Sequence, residues 1–263
     1  MSTSPGPDVL RREARAHYDR YPFGCDQEEI LDEKLKHRLL GDAIRELVVP
    51  DSVVMDIGCG ACRVAQLVHR ICEARTIGLD LSLASIHAAR RQIVDPLVNG
   101  DNMHLPFRSN CADLVISNGV IHHTPDPKAS FMELARITKP GGMLLVSVYN
   151  RDSWYYYVYR YLGAVVRGLR RLIGDRGLKV TLLPVFHIAV IALLSIALRR
   201  RFTMPIAASW NLFHDQFTTP QCTFHTFDEI SQWADEAGLV CDEQRKEAAH
   251  QLATLRLRKP SFA

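Results

Sequence analysis

The stretch Val53-Val-Met-Asp-Ile-Gly-Cys-Gly-Ala-Cys-Arg-Val-Ala-Gln-Leu-Val68 decides the fold. Residues 53–57 form a short apolar run rich in β-branched side chains, which is typical of a buried strand. From residue 61 onward the apolar side chains fall at helical spacing, so a helix follows. Between the two, Gly58 and Gly60 permit a tight turn and the close approach of a ligand. This order of strand, glycine turn and helix predicts a nucleotide-binding α/β fold.

Two kinds of ligand, a dinucleotide and S-adenosylmethionine, fit such a turn, and Asp56 favours the second. A dinucleotide needs Gly-x-Gly-x-x-Gly to rest its pyrophosphate on the helix, and Arg63 occupies the third glycine position. A carboxylate at Asp56 would also repel a pyrophosphate, whereas it suits a ligand with cationic groups and no phosphate, such as S-adenosylmethionine. The run Thr76-Ile-Gly-Leu-Asp80 predicts a second strand that ends in a carboxylate, at the position that binds ribose hydroxyls in these folds.

Five short motifs follow one another between residues 53 and 149. They are Asp56-Ile-Gly-Cys-Gly60, Gly78-Leu-Asp-Leu-Ser82, Gly100-Asp-Asn-Met-His-Leu-Pro-Phe107, Asn118-Gly-Val-Ile-His-His-Thr-Pro125 and Lys139-Pro-Gly-Gly142. With these motifs the chain resembles the class I S-adenosylmethionine-dependent methyltransferases, of the small-molecule type. The resemblance implies a Rossmann-like, doubly wound, mostly parallel seven-stranded sheet, with an antiparallel closing hairpin and a helical cap insertion. The family usually reads Gly-x-Gly-x-Gly, and Cys62 replaces the last glycine; cysteine is small, so we expect the turn to survive.

The resemblance also implies which residues hold S-adenosylmethionine as the cofactor. Asp101 is expected to accept a hydrogen bond from the adenine amino group, while the backbone of Asn102 and Met103 frames the ring. Arg63 either meets the methionine carboxylate or is an ordinary solvated arginine. The expected cofactor contacts are Asp56, Gly58, Cys59, Gly60, Arg63, Asp80, Leu81, Asp101, Asn102, Met103, Asn118 and Gly119. No metal site is expected, because the Cys-x-x-Cys pair has no second such pair; a redox pair stays an alternative.

Catalysis of methyl transfer needs mainly alignment, and a base only where the acceptor nucleophile carries a proton. His122 and His123 follow the fourth predicted strand, and His123 is the stronger candidate base, although a histidine pair can also simply fix this loop. His214, next to Asp215, is a second candidate base. Tyr18, in the run Tyr18-Asp-Arg-Tyr-Pro22, belongs either to a lid over the cofactor or to aromatic packing on the sheet.

Four regions are expected along the chain. Residues 1–50 form an N-terminal helical lid, with helices over 8–19 and 27–47, and residues 51–150 form the cofactor-binding core. Residues 151–224 are an inserted helical cap for substrate, within which 202–224 is expected to be a loop-rich return. Residues 225–263 supply a helix, begun by the capping box Thr226-Phe-Asp-Glu229, and the closing strands of the core.

The apolar run at residues 180–198 admits more than one interpretation. Its nineteen residues approach the length that spans a bilayer. Pro184 and His187 weaken that interpretation, so a buried cap helix over the active site is favoured. Peripheral contact with a membrane surface through residues 180–201 is the second alternative, and a true span is the third.

Composition narrows the function further. The chain has 263 residues, 47% hydrophobic and 23% charged, as in ordinary globular proteins, and its net charge of +3 is too mild to imply nucleic acid. Residues 1–8 contain no apolar secretory segment, so we expect a cytoplasmic protein with reduced thiols. We expect methyl transfer to a small, partly hydrophobic acceptor and no nucleic-acid partner; the oligomeric state is left open. The alternatives are a nicotinamide-dependent oxidoreductase, disfavoured by Asp56 and Arg63, and a non-catalytic membrane-associated scaffold.

Overall fold

The computed structural model describes residues 6–22, 39–72 and 74–261, without the side chains of Ala197 and Leu198. The strands are β1 (Val53–Ile57), β2 (Arg75–Asp80), β3 (Leu97–Asn99), β4 (Ala112–Asn118), β5 (Thr138–Tyr149), β6 (Val240–Glu247) and β7 (Leu252–Arg258). The helices are α1 (Pro7–Arg20), α2 (Leu39–Leu47), α3 (Arg63–Ile71), α4 (Leu83–Ala89), α5 (Pro127–Ile137), α6 (Trp154–Tyr157), α7 (Gly163–Thr181), α8 (Leu183–Leu198), α9 (Ile206–Phe217) and α10 (Phe227–Glu236). Of the helical stretch predicted over 27–47, residues 27–38 lie outside the described residues.

The strands form one sheet in the order β3-β2-β1-β4-β5-β7-β6. The first five pair in parallel, and β7 pairs antiparallel with both β5 and β6. After β3 the chain crosses back past β1 to add β4 on its other side, and ligands bind at the carboxyl ends of the strands beside such a switch point. The predicted mostly parallel, doubly wound sheet with a closing hairpin is confirmed.

Helices cover both faces of the sheet because successive side chains of a strand point to opposite sides. On β4, Val115 belongs to the core shared with α5 and α10, whereas Leu114 and Ile116 belong to the core shared with α2 and α3. The central strands are therefore apolar on both faces, and their polar residues are confined to their ends. This arrangement leaves the strand ends as the natural place for a site.

Three helix starts carry the capping side chains that their sequences indicate. The Ser82 hydroxyl accepts a hydrogen bond from the Ser85 amide at 3.1 Å, and Asp126 Oδ1 accepts one from the Ala129 amide at 2.9 Å. Thr226 and Glu229 form the reciprocal capping box at the start of α10. These three capping residues hold the loops that follow β2, β4 and the inserted cap. These loops border the site.

The insertion is helical, and the predicted loop-rich return at 202–224 is wrong in its centre. Residues 206–217 form α9, which begins directly after Pro205. Its aromatic side chains Trp210, Phe213 and Phe217 fall at helical spacing and pack in one cluster with Val166 and Phe186 from α7 and α8. Polar residues between these aromatic positions gave the segment the composition of a loop, and tertiary packing decided its structure.

The apolar run at 180–198 is not one continuous helix. Val180 and Thr181 end α7, and α8 contributes 16 residues after the break at Leu182. Among the described residues no single helix is long and apolar enough to cross a membrane, whereas the bent pair of 154–181 and 183–196, at 51°, meets the length and composition limits jointly.

The cap contacts the core above the ends of β4 and β5. Tyr149, the last residue of β5, packs its ring against Tyr155 and Phe224 at centroid distances of 4.9 Å and 5.5 Å. The Tyr155 hydroxyl donates to the Gln216 carbonyl at 2.8 Å, which ties α6 to α9. These contacts place the insertion over the carboxyl ends of the strands, where a ligand of this fold would bind.

Candidate active site

The turn between β1 and α3 is folded around a single carbonyl. Both the Gly58 and Cys59 amides donate to the Leu79 carbonyl, at 2.7 Å and 2.9 Å. Gly58 has φ +83°, and a Cβ on it would lie 2.4 Å from Val120, so only glycine fits there. The turn therefore presents bare backbone next to β2 and β4, as close approach of a ligand requires.

Cys62 occupies the left-handed region, with φ 56°, immediately before α3. The strand, turn and helix thus form with cysteine in place of the family's glycine. The cysteine side chain carries the conformational cost of the left-handed region. Cys59 and Cys62 are free, buried thiols, and both sulfurs pack beside Gly78. Hydrogen bonding to Cys62 and burial raise the pKa of the Cys59 thiol, which disfavours the reactive thiolate.

Asp56, on β1, is a buried carboxylate whose Oδ2 has no hydrogen-bond partner among the described residues. Burial, followed by the neighbouring Asp80, raises the pKa of Asp56 to about 7. An unpaired buried carboxylate is costly, and a cationic ligand group would relieve that cost. The ammonium group of S-adenosylmethionine fits this requirement, whereas a pyrophosphate does not.

Asp80, at the end of β2, holds the turn from the other side. Its Oδ2 accepts from the Gly60 amide and its Oδ1 from the Ser82 amide, both at 2.8 Å. Burial raises the pKa of Asp80, and these two hydrogen bonds oppose the rise. The carboxylate is thus fixed beside the glycine turn, where the ribose hydroxyls of the cofactor are expected.

The adenine side of the predicted site lies after β3. Asp101 Oδ1 accepts from the Met103 amide at 2.9 Å, and its Oδ2 accepts from Arg11 of α1 at 3.3 Å. Asn102, which lies between Asp101 and Met103 in the sequence, is buried. This turn holds Asp101 at the same edge of the sheet as Asp80, because it follows β3, which pairs with β2.

Helix α1 lies across the ends of β2 and β3. Arg15 donates through Nε to the Leu81 carbonyl at 3.1 Å, and the Ser82 hydroxyl donates to Asp19 Oδ1 at 2.7 Å. Together with the Arg11–Asp101 pair, these contacts run along the whole of α1. Part of the mouth of the predicted cofactor site is therefore formed by the N-terminal helix.

The remaining predicted cofactor contacts lie at the start of α3 and the end of β4. Arg63 is buried, and one of its guanidinium nitrogens donates to Gln66 Oε1 at 2.9 Å. Asn118 ends β4, and Gly119 follows with φ +80° and open space where a Cβ would be. The twelve predicted cofactor residues lie at the carboxyl ends of β1, β2 and β4, in the loops after β1 to β4, and at the start of α3; their individual roles stay predictions.

The histidine pair lies in a 3₁₀ turn after β4, facing the end of β5, and the two rings differ in role. His122 Nδ1 accepts from the Tyr149 amide at 3.3 Å, so this ring supports the backbone of β5. His123 Nδ1 lies 2.9 Å from the Gln221 carbonyl, which can only accept, so the proton sits on Nδ1. The lone pair of His123 Nε2 is therefore left for another group, and burial lowers the pKa of His123, which keeps the ring neutral.

Four side chains from separate elements converge beside this pair, and we name Tyr18, His123, Tyr149 and Asp215 the acceptor cluster. The Tyr18 and His123 rings lie 6.0 Å apart, and those of His123 and Tyr149 lie 5.5 Å apart. Gln216 Nε2 donates to Asp215 Oδ2 at 2.9 Å and to the Tyr149 hydroxyl at 3.3 Å. Burial raises the pKa of Asp215, whereas the charge of a protonated His123 lowers it.

His214, predicted as a base, belongs to a different contact. Its ring stacks on Tyr21 at 3.7 Å, its Nδ1 bonds the Thr218 hydroxyl at 2.6 Å, and burial lowers its pKa to about 3. Adjacent residues of a helix project about 100° apart, so α9 turns Asp215 toward His123 and His214 toward α1. The sequence signal for Asp215 was its place on an amphipathic helix, which the expectation of a loop concealed.

An open groove of about 450 Å³ reaches the edge of the acceptor cluster. Its walls are aromatic and carry two arginines; the lining residues are Tyr156, Tyr159, Arg160, Tyr161, Arg167, Cys222 and Phe224. Phe224 lines the groove and stacks on the Tyr149 ring of the cluster at 5.5 Å, so it joins the groove to the cluster. The groove suits a molecule with an apolar body and an anionic group.

Comparison with known proteins agrees with this site. Residues 55–146 match the methyltransferase domain family. The malonyl-(acyl-carrier protein) O-methyltransferase of Yersinia pestis is 36% identical over 151 residues, which cover 57% of this chain and 55% of that protein. The "Probable tRNA methyltransferase 9B" of Mus musculus is 35% identical over 107 residues, which cover 40% of this chain and 23% of that protein.

Among solved structures, the fold is similar to that of 1,6-didemethyltoxoflavin-N1-methyltransferase of Burkholderia thailandensis, solved with bound 1,6-didemethyltoxoflavin and S-adenosylhomocysteine. The TM-score is 0.57 with 13% identity, over 99% of this chain and 93% of that one. At this identity the likeness shows the fold.

The predicted resemblance to the class I S-adenosylmethionine-dependent methyltransferases is confirmed for residues 55–146, which match the methyltransferase domain family. This domain match supports the expected enzyme class and cofactor, S-adenosylmethionine, and neither a nicotinamide-dependent oxidoreductase nor a non-catalytic scaffold receives support. The chain spans 55% and 23% of the two curated relatives' lengths, so the acceptors in their names are those proteins' own.

Proposed function

We propose that this protein methylates a small, partly hydrophobic molecule held between the core and the cap. The observation that carries the proposal is the acceptor cluster, in which Gln216 links Asp215 of the cap to the Tyr149 hydroxyl of the core, beside the His123 ring. The cluster adjoins the predicted cofactor edge of the sheet, because His123 follows β4 and Tyr149 ends β5. When bound, S-adenosylmethionine supplies an activated methyl group on its sulfonium centre.

Core residues would hold the cofactor by complementary charge and backbone contact. Asp56 offers the buried unpaired carboxylate that an ammonium group satisfies, and Asp80 offers a fixed carboxylate for hydroxyl groups. The glycine turn gives the space that both contacts need. These residues orient the cofactor and carry no proton chemistry of the transfer.

His123 would take the proton when the acceptor is a protonated nitrogen or oxygen nucleophile. The proton passes from the acceptor to His123 Nε2, whose lone pair is available because Nδ1 donates to Gln221. Asp215 then stabilises the imidazolium by its charge, as its electrostatic coupling to His123 indicates. Tyr18 and Tyr149 line the same space and orient the acceptor by hydrogen bonds and ring contacts.

A small acceptor fits the enclosure of this cluster better than a folded nucleic acid does. The Tyr21 hydroxyl donates to Asp175 at 2.8 Å, which joins the N-terminal segment to the cap over the site. The accessible approach is the aromatic groove, whose two arginines suit an anionic end of the acceptor. One relative is named as a probable tRNA methyltransferase. That this protein has no nucleic-acid substrate is therefore a proposal that needs its own test.

The test uses methyl-labelled S-adenosylmethionine with two acceptor pools, a total small-molecule cell extract and total tRNA. We expect label in the small-molecule fraction, extractable into organic solvent. Label transferred to tRNA and not to the extract contradicts the proposed substrate class.

Variants then test the cluster itself. His123→Gln and Asp215→Asn should each lower the transfer rate about 100-fold or more, the typical contribution of a positioned base, while cofactor affinity stays near wild type. His69→Gln is the matched control, since His69 pairs with Asp95 on the exposed side of α3, away from the cluster. Equal transfer rates in His123→Gln, Asp215→Asn and the control His69→Gln would show that His123 does not act as a base.

A further inference from the structure

One face of α8 carries an apolar row that remains uncovered by the residues the structure describes. The helix is apolar nearly all round, a pattern typical of a helix buried on every side. Its inner side packs through Val190, Ile191 and Leu194 against Phe202 and Met204. Its outer side is exposed, with Ile188 at 68% and Leu193 at 66%. The exposed row is Val185, Ile188, Ala189, Ala192, Leu193 and Ile196, spaced three and four apart.

Basic side chains flank both ends of this row. Lys179 precedes α8, and Arg199 and Arg201 follow it, all exposed. Residues 151–224 contain ten Lys or Arg and three Asp, a net charge of +7, against +3 for the whole chain. The rest of the chain therefore has a net charge of −4, and the positive charge of the protein is concentrated in the cap.

We propose that α8 docks flat on an anionic lipid bilayer, with its apolar row in the acyl boundary and the flanking basic residues among the headgroups. A helix with an apolar face and cationic flanks binds such a surface by apolar burial and charge attraction together. Its 16 residues are about 24 Å long and fall short of the roughly 20 residues that a span needs. A span by the bent pair with residues 154–181 would also bury charged residues of α7 such as Arg171 and Arg176, so α8 lies on the bilayer.

Charge excludes a second copy of this chain as the natural occupant. Residues 176–214 contain five Lys or Arg and no Asp or Glu. A two-fold dimer through α8 would bring the same face of each copy together. Like charges would then meet at both ends of the apolar row, which destabilises the contact. An anionic surface meets the same face with complementary charge.

The test is co-sedimentation of the full chain with lipid vesicles. One set contains phosphatidylcholine alone, and the other contains about one third phosphatidylglycerol, an anionic lipid. We expect the wild-type protein to bind the anionic vesicles at least about tenfold more tightly, and added salt to weaken this binding. The double variant Ile188→Asp with Leu193→Asp should lose about tenfold or more of that affinity.

Matched variants separate docking from folding. Val94→Asp changes an even more exposed apolar residue, in the loop between α4 and β3, so its binding should equal that of wild type. Lys179→Gln with Arg199→Gln leaves the apolar row intact and should reduce only the preference for anionic lipid. The proposal is overturned if the wild-type protein binds neither vesicle type, or binds both with equal affinity. A dimer in solution that the Ile188→Asp, Leu193→Asp variant dissociates assigns the face to self-association instead.

Discussion

The cofactor edge of the sheet and the cap differ in what fixes their structure. At the cofactor edge, single residues are dictated by local geometry: Gly58 cannot carry a Cβ, and Asp80 accepts from two backbone amides. In the cap, residues are fixed by packing between helices, as where Trp210 stacks on Phe213. Local geometry leaves a readable motif in the sequence, whereas helix packing leaves only an apolar periodicity.

The two regions also hold their ionisable groups in opposite ways. Burial raises the pKa of the cofactor-edge acids Asp56 and Asp80. Burial lowers the pKa of His17, on α1 under the cap, and of His214, in the cap. The cofactor edge is thus suited to a cationic ligand, while the contact between α1 and the cap is built from neutral imidazoles. Each of these differences can be tested.

The largest expected effect is at Asp80. Asp80→Ala removes the carboxylate that holds the turn and the expected ribose contacts. Charged hydrogen bonds contribute about 1.5–3 kcal/mol each, so affinity for S-adenosylmethionine should fall about 100-fold or more. Calorimetric titration measures this loss.

Asp113→Ala is the matched control for that experiment. Asp113 accepts from the Val53 amide and from Lys139 Nζ, both at 2.8 Å, at the opposite end of the sheet. This variant should lose stability while keeping cofactor affinity. Equal affinities of Asp80→Ala and wild type would contradict the assignment of the cofactor edge.

The next effect is the acid sensitivity of the contact between α1 and the cap. The pKa of His17 is lowered to about 4 and that of His214 to about 3. The unfolded chain binds protons on these rings below about pH 6.5 while the folded chain does not, so stability falls as pH drops toward about 4. Each ring should contribute on the order of 2–3 kcal/mol to that loss.

Urea unfolding at several pH values checks this prediction with His17→Phe beside wild type. Phenylalanine keeps a ring and removes a buried Nε2 that has no partner among the described residues. The variant should lose less stability on acidification than wild type. Asp56 acts in the opposite direction in both proteins, so the difference between them isolates His17. Parallel curves would show that His17 does not titrate as its burial requires.

A smaller effect links cofactor affinity to pH through Asp56. With a pKa of about 7, its carboxyl is largely protonated at pH 6 and must ionise to pair with an ammonium group. The affinity for S-adenosylmethionine should therefore rise about tenfold, or ~1.4 kcal/mol, from pH 6 to pH 8. Asp56→Asn should abolish this dependence as well as weaken binding, and a wild-type affinity that is flat over this range would assign the ammonium to another partner.

The smallest effect is at Cys62. Cys62→Gly removes the cost of a side chain at φ 56° and also removes a buried thiol. These changes oppose each other, so the free energy of unfolding should change by less than about 1 kcal/mol. Cofactor affinity should stay within about tenfold of wild type. A metal bound by wild type at one equivalent and lost in this variant would show that the cysteine pair is a metal site.

The sequence predicted most of the core and only part of the acceptor side. The capping box at Thr226 follows from residue types at fixed spacing, whereas the sheet and its hairpin follow from the family resemblance of the motifs. Helix α9 was missed because the polar residues between its aromatic positions resemble a loop. With α9 missed, His214 was expected to act as a base together with its neighbour Asp215, whereas the helix separates them: His214 stacks on Tyr21, and Asp215 is linked to Tyr149 through Gln216.

The apolar run breaks at residue 182, two residues before Pro184, and sequence reasoning used this proline only as an argument against a membrane span. Its composition is continuous across Leu182, and only the packing of α8 against Phe202 and Met204 separates the inner side from the exposed row. Hydrophobicity alone does not distinguish a buried helix from one with an open face.

Two regions share the proposed reaction: the core binds the cofactor, and the cap completes the acceptor cluster. Titration of S-adenosylhomocysteine into Asp56→Asn and Asp215→Asn tests this most directly. We predict that Asp56→Asn weakens binding at least about tenfold, while Asp215→Asn stays within about threefold of wild type. Equal loss of binding in both variants would contradict the account, because Asp215 would then belong to the cofactor site.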